Sequence, residues 1–140
     1  MQKAVEKGGV TALPRQHRYF CHDLTFQLAK AGIHVLTYDE LSESQIEDLQ
    51  IYFLEQIFPV LTPLAVDPGH PFPYISSLSL SLAVVIRNRE NGEEHFARVK
   101  VPDRLPRFIQ LTRRKSEEDE AYWCAVPIEQ VIAHNAYKLF

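Results

Sequence analysis

Residues 78–101, LSLSLAVVIRNRENGEEHFARVKV, carry the main sheet-forming signal of this 140-residue chain. Leu78, Leu80, Leu82, Val84 and Ile86 alternate with Ser79, Ser81, Ala83 and Val85, a period of two that gives an extended strand one large apolar face. Asn91-Gly92 is a favourable turn pair, and residues 96–101 are rich in strand formers. The two runs are therefore expected to pair as an antiparallel hairpin with a polar loop. The same alternation puts Arg98 and Lys100 on one face of the second strand.

Upstream of this hairpin the periodicity is helical. Phe20, Leu24, Leu28 and Ala31 recur at helical spacing, with Pro14 near the start and Gly32 after the end, which predicts a helix over 14–31. Ile33 to Leu36 is apolar but too short for a helix, and reads as a connection between two helices. Ser42 with Gln45, or Ser44 with Glu47, has capping-box spacing. Ile46, Leu49, Phe53 and Ile57 then form a stripe that predicts a helix over about 44–58, stopped by Pro59. Five prolines and one glycine between Pro59 and Pro73 suggest a stiff, extended seam with little regular ladder pairing.

Downstream of the hairpin, residues 107–111 and 121–126 read as a third and a fourth strand, separated by the almost wholly charged run 113–120. Pro127 suits the first turn of a last helix with Ile128, Val131, Ile132 and Leu139 on one face. The expected fold is α+β: N-terminal helices, then an antiparallel sheet, then a closing C-terminal helix.

A hydrophobic content of 46% with 11% aromatics is enough for a real core. The formal charge of -3 and pI near 6.1 create no global field for nucleic acid, so an anion site has to be a local patch. No apolar run reaches the roughly 20 residues of a membrane span, residues 1–11 do not resemble a signal peptide, and the two distant cysteines fit a reducing compartment. A cytoplasmic protein is expected.

Candidate chemistry is sparse. His17 and Cys21 are spaced to share a helix face, but no further metal ligands stand at a recognised spacing; surface histidines beside a half-buried cysteine explain them, and no metal site is assigned. Asp67 and His70 fit turn chemistry as well as an acid/base pair, because an aspartate before Pro-Gly commonly caps a turn. P-loop, CxxC, HExxH and serine-elbow patterns are absent, and no catalytic residue is assigned. Arg98, Lys100 and Arg107, with Arg104 beside them, are the candidate substrate-binding patch for a phosphate-bearing anion, against the alternative of a solvated face balanced by Glu93 and Glu94.

One longer string is more specific. Residues 58–82, FPVLTPLAVDPGHPFPYISSLSLSL, followed in order by FARVKVPDRLPRFIQL and the terminal VPIEQVIAHNAYKLF, resemble bacterial polyphosphate kinase. The resemblance implies that 1–36 end with the last helix of an N-terminal helical domain and that 37–140 are part of the head, or middle, domain. It also implies a parent transferase that moves the ATP terminal phosphate reversibly to polyphosphate, with magnesium and ATP, through a phosphorylated histidine in an HxK motif. None of the histidines at 17, 22, 34, 70, 95 and 134 has lysine two places on. The chain is therefore expected to be a non-catalytic portion with no cofactor of its own. Expected partners are the remaining kinase domains, a second copy and polyphosphate, with no nucleic acid; a standalone phosphate-ligand or protein-interaction module is the alternative.

Overall fold

The computed structural model describes residues 12–66, 74–111 and 123–140. The expected turn pair Asp67 and His70 and the charged run 113–120 lie outside the described residues. The architecture is α+β, with helices and two three-stranded sheets.

The first helix starts as α1 (Ala12–Arg18), widens into a π-helical segment (Tyr19–Leu24) and returns to α-helix as α2 (Thr25–Lys30). The Thr25 hydroxyl donates to the Cys21 carbonyl at 2.8 Å, four residues back. Gly32 follows with φ 80, the left-handed conformation that a helix stop requires and that glycine adopts without a Cβ clash. No residue from Tyr19 to Lys30 is buried, so these helical turns stand on the surface.

Strand β1 (Ile33–Val35) comes next, where the sequence suggested a mere connection. Three residues are too few to show a period, and the strand exists because β6 (Trp123–Pro127) pairs with it in parallel, from Ile33 with Trp123 to Val35 with Ala125. Strand β5 (Phe108–Gln110) flanks β6 on the other side, antiparallel. The expected single antiparallel sheet is thus two sheets, one of them mixed, in the order β1-β6-β5.

Helix α3 (Glu43–Tyr52) is capped by Ser42, whose hydroxyl accepts from the Gln45 amide at 3.3 Å while the Gln45 side chain accepts from the Ser42 amide at 3.0 Å. Of the two capping boxes open in the sequence, the first one forms. The helix then widens into a π segment (Phe53–Ile57) and tightens into a 3-10 turn (Phe58–Val60), so Pro59 sits inside a turn where its missing amide costs nothing.

The proline-rich seam contains a strand as well, contrary to the expectation of little ladder pairing. Strand β2 (Thr62–Val66) pairs antiparallel with β4 (Glu94–Val101), from Thr62 with Lys100 to Val66 with Phe96. As an edge strand it tolerates Pro63, which would break a central one. The hairpin of β3 (Leu80–Arg87) with β4 forms as expected and completes the second sheet in the order β2-β4-β3. Asn88 and Asn91 side-chain oxygens accept from the Glu90 and Glu93 amides to shape its loop, and Gly92 takes φ 73. Leu78 does not join β3: it lies in the preceding turn with φ 57, fully exposed.

One core unites these layers. Leu49, Phe53 and Ile57 from the α3 side, Val99 and Val101 from β4, Ile109, Cys124 and Val126 from the mixed sheet, and Ile128, Val131 and Ile132 from α4 (Ile128–Asn135) belong to a single buried cluster. Tyr38 closes its rim. Its ring stacks on His134 at 4.0 Å, its amide donates to Gln130 Oε1 at 3.0 Å, and its hydroxyl accepts from Asn135 Nδ2 at 3.4 Å. Burial pushes the Tyr38 phenol above its ordinary 10.0, against the opposing pull of the Asn135 hydrogen bond. The folded state therefore holds this proton more tightly than the unfolded chain. The corresponding stability is complete below the ordinary phenol pKa and is lost as pH rises through the raised one. An ultraviolet tyrosinate titration of the folded chain is expected to show a late component that Tyr38→Phe lacks.

Candidate functional site

Alternation along β4 sorts its side chains by face. Ala97, Val99 and Val101 are buried, and the two valines join the core, while Phe96, Arg98 and Lys100 share the other face. On that outer face the register sets Lys100 between Thr62 of β2 and Ser81 of β3, and Arg98 between Leu64 and Ala83. The backbone thus brings two cations and two hydroxyls onto one surface.

Arg98 is only 5% exposed. Its Nε donates to Ser81 Oγ at 3.2 Å and its Nη1 to the Tyr74 carbonyl at 3.1 Å. The guanidinium thereby ties the segment before β3 to the sheet through two neutral acceptors. Lys100 is exposed beside it. Together they help line an open groove of about 560 Å³, whose other walls are Val60, Thr62 and Leu64 from the β2 side, Tyr74, and Pro102 and Asp103 beyond β4.

The other expected residue of the patch, Arg107, is exposed and immediately precedes β5 in the mixed sheet, where its carbonyl accepts from the Ile128 amide at 2.9 Å. Neither Arg107 nor Arg104 is among the groove-lining residues. Glu94, considered as a balance for the basic face, instead pairs with Arg87 at 2.6 Å across the hairpin, with both side chains about half exposed. Such a pair contributes at most about 1 kcal/mol.

His17 and Cys21 do share a helix face, with Sγ 3.6 Å from Nε2. Among the described residues no three His, Cys, Asp or Glu side chains converge as a metal site. Cys124, the other free cysteine, is buried in the core. A second hollow of about 320 Å³ between α3 and β5 offers Asp48 as its only charged group.

Sequence reasoning found Arg98 and Lys100 but missed Thr62, Ser81 and Tyr74. The alternation of Thr62, Leu64 and Val66 was the available signal for the first of these, hidden by the prolines around it.

The family model described as the polyphosphate kinase middle domain matches residues 44–140. The chain belongs to the polyphosphate kinase family. A polyphosphate kinase of Thermosynechococcus vestitus is 50% identical over 138 residues, covering 99% of this chain and 19% of that protein. That of Aphanizomenon baltica is 53% identical over 131 residues, covering 91% of this chain and 34% of the other. A crystal structure of polyphosphate kinase from Porphyromonas gingivalis superposes with a TM-score of 0.76 at 26% identity, over 93% of this chain and 22% of that one. The chain thus spans a minor part of the polyphosphate kinases it matches, and its residues 44–140 match their middle domain. No described helix is long and apolar enough to cross a membrane.

Proposed function

We propose that this chain is a non-catalytic structural portion of a polyphosphate kinase, whose whole enzyme transfers the ATP terminal phosphate reversibly to inorganic polyphosphate. The observation that carries the reading is the family match over 44–140 in a chain where no histidine is followed two places on by lysine. Residues 1–36 supply the end of the preceding helical domain and 37–140 a part of the head domain. On this reading magnesium and ATP belong to other parts of the enzyme.

On this reading the chain's work is positional. The two-sheet core serves as a scaffold for the remaining domains of the enzyme, which are its partners, and a second copy of the enzyme is a further one. The chain resides in the cytoplasm, in keeping with its two free cysteines. Phosphoryl transfer depends on bringing metal, nucleotide and nucleophile into one pocket, and those groups are assigned elsewhere.

The test is an incubation of the purified chain with ATP and magnesium. No polyphosphate is expected, and synthesis above a boiled control would overturn the reading. A standalone module for phosphate ligands or a protein partner is the second reading, favoured by the Arg98 and Lys100 groove alone. Flanking coding sequence with HxK histidines supports the kinase portion; its absence supports the module.

A further inference from the structure

We propose that the outward face of the helical run from Glu43 to Phe58 is a docking surface for a basic amphipathic helix from the part of the kinase outside this chain. The source of that helix rests on the polyphosphate kinase reading above, whereas the surface rests on exposure and charge.

Ile51, Tyr52, Phe53, Leu54, Ile57 and Phe58 make the second half of this run apolar all round, and a helix of that kind is normally covered on every side. The sheets cover one side, where Leu49, Phe53 and Ile57 are buried in the core. On the other side Ile51, Leu54 and Phe58 recur at helical spacing, with 55%, 47% and 40% of their surfaces in solvent. They form one continuous ridge, unlike the singly scattered apolar residues of an ordinary surface. Phe58 is steadied in it by the edge-on contact of its ring with the buried ring of Phe53.

Charge limits what covers the ridge. Glu43, Glu47 and Asp48 on α3 and Glu55 on the π segment are all exposed. From Ala31 to Ile86 the sequence has no lysine or arginine to offset them. This face therefore repels phosphate chains, nucleic acid and anionic membranes, and attracts lysine and arginine. A helix with an apolar stripe flanked by cations matches both properties: the stripe packs beside the ridge, and the cations reach Glu47 and Glu55, one turn to either side of Ile51.

Area limits where that helix comes from. Three half-exposed side chains offer on the order of 300 Å² of apolar surface. A stable complex between separate proteins buries about 800 Å² on each partner. A helix carried by the same polypeptide needs far less, because tethering raises its effective concentration to about the millimolar range. The chain covers 19% of the Thermosynechococcus vestitus kinase and 22% of the Porphyromonas gingivalis structure, so most of each enzyme is available to supply it.

The experiment puts the photo-crosslinking residue benzoylphenylalanine at position 51 of the full-length kinase that contains this chain. After irradiation the product is read by its mass on a denaturing gel and by fragment mass spectrometry. The expected product is a cross-link within one polypeptide, unchanged in mass, to a segment outside residues 12–140 with cations beside an apolar stripe of helical period. Glu47→Lys combined with Glu55→Lys is expected to cut its yield at least about tenfold, since like charges then oppose each other. Glu90→Lys, the same kind of charge change in the β3–β4 loop, is expected to leave the yield within about twofold. All three substitutions alter exposed side chains, and circular dichroism checks that the fold is kept.

A product of doubled mass would make a second copy the occupant and overturn the proposal. A cross-link to another protein, to a segment without cations, or none at all overturns it as well, and so does an equal loss of yield from Glu90→Lys. The kinase reading is tested apart from this, by polyphosphate synthesis from the chain alone. Absence of the cross-link in an enzyme that makes polyphosphate removes the docking surface and leaves that reading intact.

Discussion

Phe53→Ala is expected to lower the stability of the fold by about 3–5 kcal/mol, measured as a shift in the denaturant midpoint followed by circular dichroism. Phe53 is fully buried in the π segment after α3 and meets the edge of Phe58 at a centroid distance of 6.1 Å. Its cluster includes Val99 of one sheet, Val126 of the other and Ile132 of α4. Truncation therefore removes apolar burial and leaves a hole bounded by separate elements that cannot all move inward. A domain of this size has about 5–15 kcal/mol in total, so the loss is a large part of it. Phe26→Ala is the matched control. Phe26 is 60% exposed on the first helix, where the Lys30 ammonium lies 4.5 Å from its ring centre, and its removal should cost no more than about 1 kcal/mol. Equal losses from the two substitutions would place the core somewhere other than under β4.

A harsher outcome is expected for Val99→Asp, which should leave little folded protein at neutral pH. Val99 is fully buried in the middle of the central strand, paired with Pro63 on one side and Leu82 on the other. A carboxylate there faces the core, while the cations on either side of it in sequence, Arg98 and Lys100, point to the opposite face. The expected cost exceeds about 4 kcal/mol, as for other unpaired buried charges. Burial also raises the pKa of the new carboxyl in the folded state, so protonation relieves the penalty. The stability gap to wild type should therefore narrow as pH falls. A gap independent of pH would mean that the new side chain reaches water or a cation.

Local chemistry made much of the fold legible. Ser42 with Gln45, the stripe through Leu49, Phe53 and Ile57, the alternation from Leu80 to Ile86, and Pro127 before α4 are each decided by neighbours within a few residues, and each appears in the structure. What escaped depends on distant partners. The three residues of β1 become a strand through β6, and β2 becomes one by taking an edge where Pro63 is harmless. Leu78 fits the alternation and still leaves it, because the turn at Ser77 and Leu78 bends the chain before β3.

The site divides in the same way. Alternation alone placed Arg98 and Lys100 on one face. It did not show that Arg98 is buried and hydrogen-bonded to the Tyr74 carbonyl, which comes from a separate segment. Arg107 is near them in sequence but precedes a strand of the other sheet, a separation created by the break between β4 and β5.

The parallel pairing of β1 with β6 also governs the order of assembly. Ile33 must find Trp123, so this sheet cannot close until nearly the whole segment has been synthesised, whereas β3 and β4 can zip together as soon as their loop exists. The late ribbon is a clasp drawn from both ends of the chain. Shutting it fastens the helix before β1 to the helix after β6, so these two helices are set relative to each other by a single closing step.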